Sequence, residues 1–151
     1  MKIWVDADAC PGAVRDIVLA ASRKRKIETT FVANKPLPLP LSDLVSFVQV
    51  ANTPDAADAY IIEQAVVGDL VITQDIPLAH PLVKRAVVVI SPRGVVFDDD
   101  NIGERLSIRD MMQDMRDAGM VTGGPKQFGE KEKREFASSF DRELTKLLRK
   151  V

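Results

Sequence analysis

Four aspartates stand where an enzyme could use them: Asp6, Asp8, Asp58 and Asp75, drawn from three separate segments. Asp6 and Asp8 follow the apolar run Ile3-Trp4-Val5, and Asp75 follows Leu70-Val71-Ile72-Thr73-Gln74. Asp58 lies three residues from Asp55 in an alanine-rich stretch, so the two share a helix face. Oxygen-only ligands at two strand ends and a helix start suit Mg²⁺ or Mn²⁺ rather than zinc or copper. A hard cation shared between carboxylates and a substrate phosphate acidifies bound water and stabilises an in-line displacement at phosphorus. The chemistry implied is phosphodiester hydrolysis. Without a cation the four carboxylates would repel one another, which is a further reason to expect one. Asp6, Asp58 and Asp75 are therefore the candidate catalytic acids, with Asp8 and Asp55 as additional candidate metal ligands. Thr73, Arg15 and Lys126 are the candidates for substrate contact.

Each acid also has a plainer reading. Asp6 or Asp8 could cap a helix that starts near Pro11, although one cap explains only one of the two. Asp55, in a first helical turn behind Thr53 and Pro54, complements the helix dipole. Asp58 is harder to assign this way, because a carboxylate among Ala57, Ala59, Ile61 and Ile62 needs a partner or a metal. Cys10 sits near a helix start, where a thiol can be acidified, but Asp6 and Asp8 oppose a thiolate there. It reads as a small buried residue, and His80 as an ordinary loop histidine.

The elements that must hold these residues alternate. Strands are expected at 3–5, 28–34, 45–50, 70–73 and 86–90, with a short extended segment at 95–97. Helices are expected at 13–25, from about 54 to 65, at 76–85 interrupted by Pro77 and Pro81, from 102 or 104 to 118, and from about 129 to 150. The basic run Arg23-Lys24-Arg25-Lys26 suits a helix C-terminus. Lys35-Pro36-Leu37-Pro38-Leu39-Pro40 must be loop, since prolines lack backbone donors. Asp98-Asp99-Asp100-Asn101 is expected to start the helix after it. This alternation predicts an α/β fold: three layers, with a mainly parallel central sheet flanked by helices. Acids after buried parallel strands then fall at the carboxyl edge of the sheet, where such folds bind ligands.

Composition narrows the rest. A chain of 151 residues, 46% hydrophobic and 28% charged, fits one globular domain, 1–151, with 126–151 as a helical extension packed on it. One cysteine and one histidine leave no disulfide within the chain and no zinc site built from Cys or His clusters. A net charge of -1 gives no global attraction for nucleic acid or an anionic membrane. No leader and no membrane-spanning run is evident, so the expected compartment is the cytoplasm.

Three functions remain in contention. The first is a metal-dependent nuclease. The second is a phosphatase, because a strand ending in Asp-x-Asp resembles the haloacid dehalogenases, with Asp6 as nucleophile and Asp8 as acid-base. Cys10 stands where that family has threonine or valine. The third is a binding module without catalysis, using the acids for a metal and Lys126 with the last helix for RNA or protein.

Four motifs in order resemble the bacterial YaiI/YqxD family across essentially the whole chain. They are Asp6-Ala7-Asp8-Ala9-Cys10-Pro11, Asp55-Ala56-Ala57-Asp58, Val71-Ile72-Thr73-Gln74-Asp75-Ile76-Pro77-Leu78-Ala79 and Thr122-Gly123-Gly124-Pro125. That family is similar to PIN-like and NYN nuclease domains, whose acids at the carboxyl edge of a parallel sheet hold Mg²⁺ or Mn²⁺. The resemblance implies that Asp6 matches the acid after the first strand. Asp58 matches the acid in the helix before the fourth strand, and Asp75 the acid after that strand. Asp8 and Asp55 become outer partners. Thr73-Gln74-Asp75 offers one acid where many such nucleases have two, which leaves a one-metal site open. The expectation is a cytoplasmic PIN-like nuclease acting on RNA, with no membrane partner and the oligomeric state open.

Overall fold

The computed structural model describes residues 1–53, 55–119 and 127–149. Six strands form one sheet: β1 (Lys2–Asp6), β2 (Glu28–Ala33), β3 (Val45–Gln49), β4 (Leu70–Ile72), β5 (Val88–Ile90) and β6 (Val96–Phe97). Their spatial order is β3-β2-β1-β4-β5-β6, parallel throughout except for the antiparallel β5–β6 pair. Five helices complete the described residues: α1 (Gly12–Arg25), α2 (Ala56–Gln64), α3 (Ile76–Lys84), α4 (Ile102–Asp117) and α5 (Glu130–Arg149). The α/β architecture expected from the alternation is the one observed.

The period-two rule explains how the sheet is buried on both sides. Ile3, Val5, Leu70, Ile72 and Phe31 face α1 and α5, packing with Val14, Val18, Phe136, Phe140 and Leu144. Trp4, Val71, Val32 and Val89 face the other way, against Ala57 and Ile61 of α2, Leu78 and Leu82 of α3, and Ile102 of α4. Strands covered on both faces read as unbroken apolar runs, as Ile3-Trp4-Val5 and Leu70-Val71-Ile72 do.

Several local features differ from expectation. Val96–Phe97 is a true edge strand, reversed by a tight turn in which Gly94 has φ +90. A Cβ on Gly94 would lie 2.6 Å from the carbonyl of Glu135, and Ser139 Oγ donates to the Gly94 carbonyl at 2.7 Å. Glycine is required there because α5 presses directly on the turn. α3 runs on through Pro81 rather than breaking. Pro81 forfeits one backbone bond, and the burial of Leu78, Ala79, Leu82 and Val83 outweighs that loss. α2 begins at Ala56, with Asp55 rather than Thr53 at the preceding cap position.

The basic run ends α1 as expected. Lys26 adopts the left-handed region at φ 56, and Arg25 ties α1 to α5 through Asp141 at 2.7 Å and Thr145 at 3.1 Å. Asp98 and Asn101 exchange hydrogen bonds ahead of α4, at 2.8 and 2.9 Å, so the acidic run starts that helix.

An acidic candidate site at the switch point of the sheet

β1 and β4 are neighbours, yet the chain leaving β1 enters α1 on one face and the chain leaving β4 enters α3 on the other. Their connections diverge, and a crevice opens at the carboxyl ends of the two strands. Asp6 is the last residue of β1. Val5 is level with Ile72, so Thr73 follows β4 beside Asp6.

Thr73, only 1% exposed, links the two acids across this crevice. Its hydroxyl donates to Asp6 Oδ2 at 2.9 Å and accepts the Asp75 backbone N–H at 3.0 Å. A hydroxyl has one proton to give, and Asp6 receives it. The expected substrate contact at Thr73 is thus not among its hydrogen bonds, which go to the site acids. Asp75 in turn caps α3, accepting the Leu78 N–H at 3.4 Å.

Asp58 comes from the opposite direction, on the first turn of α2, a helix that lies across β1 and β2. It is half-buried and faces Asp75. Burial, the Asp75 charge and the close Asp75 carboxylate raise the Asp58 pKa to about 7, with Asp6 and Asp55 adding to the effect. Asp6 is also raised from the usual carboxylate range. Burial is the main cause, the Thr73 hydrogen bond opposes it, and the charges of Asp75 and Asp8 add to it. Asp6 and Asp58 therefore both sense the Asp75 charge, with burial and like charge disfavouring their own ionisation.

The other candidates lie further out. Asp8 sits in a 3-10 turn, Ala7–Ala9, and accepts the Asn34 N–H with both carboxylate oxygens, at 3.0 and 3.1 Å. That bond ties it to the end of β2, while its charge still reaches Asp6. Neither Asp6 nor Asp8 caps α1, whose cap position is Pro11 with no side-chain bond. The capping explanation for these two acids therefore does not hold. Asp55 is exposed, makes no capping bond, and contributes charge toward Asp58. Arg15 lies in the first turn of α1, where its charge opposes the rise at Cys10. Burial nevertheless pushes the Cys10 thiol up to about 12, which removes it as a nucleophile. Lys126 and the Thr122-Gly123-Gly124-Pro125 motif lie outside the described residues.

Among the described residues, no group of three or more Asp, Glu, His or Cys side chains is arranged to hold a metal ion. The nearest approach of acids is the facing pair Asp58 and Asp75, with Asp6 beside them. A cavity of about 480 Å³ lies elsewhere, between α1 and residues 40–45, and contains none of these three acids.

The family described as "Uncharacterized BCR, YaiI/YqxD family" matches residues 4–146. The chain belongs to the YaiI/YqxD family. Its relatives include a UPF0178 protein of Myxococcus xanthus, 54% identical over 149 residues, covering 99% of this chain and 97% of the relative. A UPF0178 protein of Trichlorobacter lovleyi is 51% identical over 151 residues, covering 100% of this chain and 98% of the relative. One from Syntrophobacter fumaroxidans is 51% identical over 146 residues, covering 97% and 95%. No solved structure matches the chain. All four motifs that resembled the YaiI/YqxD family fall within residues 4–146, and so do all the site acids.

One acid, which the sequence offers only as a turn residue beside Gly68, has a different role. Asp69, at the other end of β4, is buried and accepts three N–H groups. Its signal was Trp4: a buried indole N–H requires an acceptor, and a nearby buried acid is the natural one.

Proposed function

We propose that this protein is a divalent-metal-dependent phosphodiesterase acting on RNA, with Asp6, Asp58 and Asp75 as its working carboxylates. One observation carries the reading. Asp58 faces Asp75 beside Asp6 at the switch point, and among the described residues no ion pair joins these three to a cation. Such an arrangement is costly unless a positive charge joins it.

The donor set fits Mg²⁺ or Mn²⁺ in their sparse mode, in which one or two carboxylates share the ion with water and substrate oxygens. It does not fit calcium, which takes six to eight oxygens, or zinc, which favours nitrogen and sulfur. When bound, the cation supplies charge for a phosphoryl oxygen and lowers the pKa of a water.

The chain's own residues do the positioning. Thr73 fixes the Asp6 carboxylate by donating to Oδ2, and the Leu78 N–H fixes Asp75 through Oδ1. Asp58, able to hold or release a proton near neutral pH, is suited to receive one from the attacking water. Arg15, on the first turn of α1, would be the residue to meet a phosphate. The phosphatase reading is less well supported, because both Asp8 oxygens are engaged by Asn34.

The test is Mn²⁺ calorimetry on wild type and Asp75→Asn, followed by single-stranded RNA on the same samples. Binding that is lost in the variant, with RNA cut only by metal-loaded wild type, is the expected result. Binding without cutting would favour a module that holds metal and RNA without hydrolysis. No binding by the wild type would overturn the reading altogether.

A further inference from the structure

The cavity between α1 and the loop that leads into β3 is about 480 Å³, the size that takes a small organic ligand. Its helix wall carries Asp16 and Arg23, which fall on one face of α1 two turns apart, about 10 Å along the axis. Leu19 lies between them. The facing wall is apolar, built from Leu41, Leu44 and Val45. Ser42 holds this wall in shape. Its N–H donates to the Val45 carbonyl at 3.1 Å, and its hydroxyl accepts the Leu44 and Val45 N–H groups, both at 3.2 Å. Val45 is buried and Leu41 is 64% exposed, so apolar surface runs along this wall from the core out to solvent.

The charges on the helix wall are opposite and unmatched. Among the described residues, neither Asp16 nor Arg23 forms an ion pair. Arg25, two residues on, is engaged by Asp141 and Thr145 of α5. The Ser42 hydroxyl, which accepts two N–H groups, still has its own proton to donate, and no acceptor for it is found among the described residues. An anion with an apolar tail would satisfy Arg23 but meet Asp16, and a cationic one would do the reverse. The matching ligand carries both charges about 10 Å apart, with an apolar body and a carbonyl between them. Three extended peptide residues span about 10 Å.

We propose that this cavity binds a free apolar tripeptide, its ammonium group on Asp16, its carboxylate on Arg23 and its side chains against Leu19, Leu41 and Leu44. A central peptide carbonyl receives the Ser42 hydroxyl proton. The cavity contains none of Asp6, Asp58 and Asp75, so this binding stands or falls independently of the metal-dependent reading.

Calorimetry with valyl-leucyl-valine, paired with saturation-transfer NMR so that a small heat is not mistaken for no binding, tests this on the full chain. The expected Kd is about 0.1–1 mM. N-acetylation and C-amidation of the tripeptide should each weaken binding to wild type about fivefold, because each removes one charge contact. The acetyl penalty should vanish in Asp16→Asn and the amide penalty in Arg23→Gln. Leu41→Asp, at an exposed position, should abolish binding without moving the melting midpoint, while Asp75→Asn should bind as wild type does. Octanoate, an anion with an apolar tail and no ammonium group, should bind about fivefold or more weakly than the tripeptide. No binding of the tripeptide by either method, or binding unchanged in Leu41→Asp, overturns the proposal. Octanoate binding as tightly as the tripeptide overturns the choice of a zwitterion. A penalty that persists in its matching variant overturns the assigned orientation.

Discussion

β4 is three residues long and carries an aspartate near each end, and the two are treated in opposite ways. Asp69, just before Leu70, is 5% exposed and surrounded by donors: the Lys2 N–H at 3.0 Å, the Trp4 Nε1–H at 3.1 Å and the Val66 N–H at 3.1 Å. Asp75, beyond Ile72, receives one N–H from Leu78 at 3.4 Å and otherwise faces Asp58, with Asp6 nearby. At the amino end the protein completes the carboxylate's hydrogen bonding itself. At the carboxyl end it assembles acids against acids. The difference separates an acid whose bonding the fold completes from acids that the fold leaves facing one another.

The largest expected effects break this contrast from each side. Asp58→Asn and Asp75→Asn should each lower RNA cleavage about 100-fold or more, close to 3 kcal/mol of barrier, while leaving the thermal midpoint at pH 8 unchanged or higher. Initial rates beside melting curves check it. A variant that loses activity only by unfolding would place these acids with Asp69. Conversely, Asp69→Ala leaves three N–H groups without their acceptor, including a buried indole. It should cost about 3 kcal/mol and lower the melting midpoint by roughly 6–12 °C. Mn²⁺ affinity, measured below that midpoint, should not change.

A smaller effect sharpens the contrast through pH. The Asp58 carboxyl is held at about 7 in the fold against 3.8 ordinarily, so between those values the folded chain binds the extra proton. Stability from this group is therefore fully present below about pH 4 and is lost as pH rises through about 7. Asp58 is half exposed, and solvent screening reduces the effect to about 1–2 kcal/mol. Urea midpoints of wild type, with chelator present, should fall relative to those of Asp58→Asn between pH 5 and pH 8. Parallel curves would remove the like-charge strain from the site. Mn²⁺ at pH 8 should restore the wild-type midpoint, because a bound cation takes over the proton's role.

Much of this was legible because strand runs covered on both faces announce themselves, and an acid after such a run lands on the sheet's carboxyl edge. Asp6 and Asp75 follow from that rule, and Asp58 from its discord with the alanines and isoleucines around it. What escaped notice depends on contacts distant in sequence. Asp69 reads as a turn residue until Lys2 and Trp4 are brought beside it by the β1–β4 pairing. Pro81 reads as a helix breaker until four buried neighbours hold its helix together. The reversal at Gly94 is set by α5, some forty residues on, pressing against its backbone. The role of Thr73 is of the same kind: the strand ending was clear, but not that its hydroxyl would point to Asp6.

Thr73→Val measures that last link, and its effect should be the smallest. Valine keeps the shape and buries well, but it removes the proton given to Asp6 and the acceptor for the Asp75 N–H. The acids stay in place with looser orientation, so kcat should fall about fivefold, near 1 kcal/mol, with KM for RNA unchanged. Were Thr73 instead a substrate contact, as its place in the sequence suggested, KM would rise and kcat would hold. Steady-state kinetics on one single-stranded RNA separates the two. Serine adds a control, because Thr73→Ser keeps the hydroxyl and should recover most of the lost rate. If serine fails to recover it, packing of the Thr73 methyl, rather than its hydrogen bonds, is what orders the carboxyl end of β4.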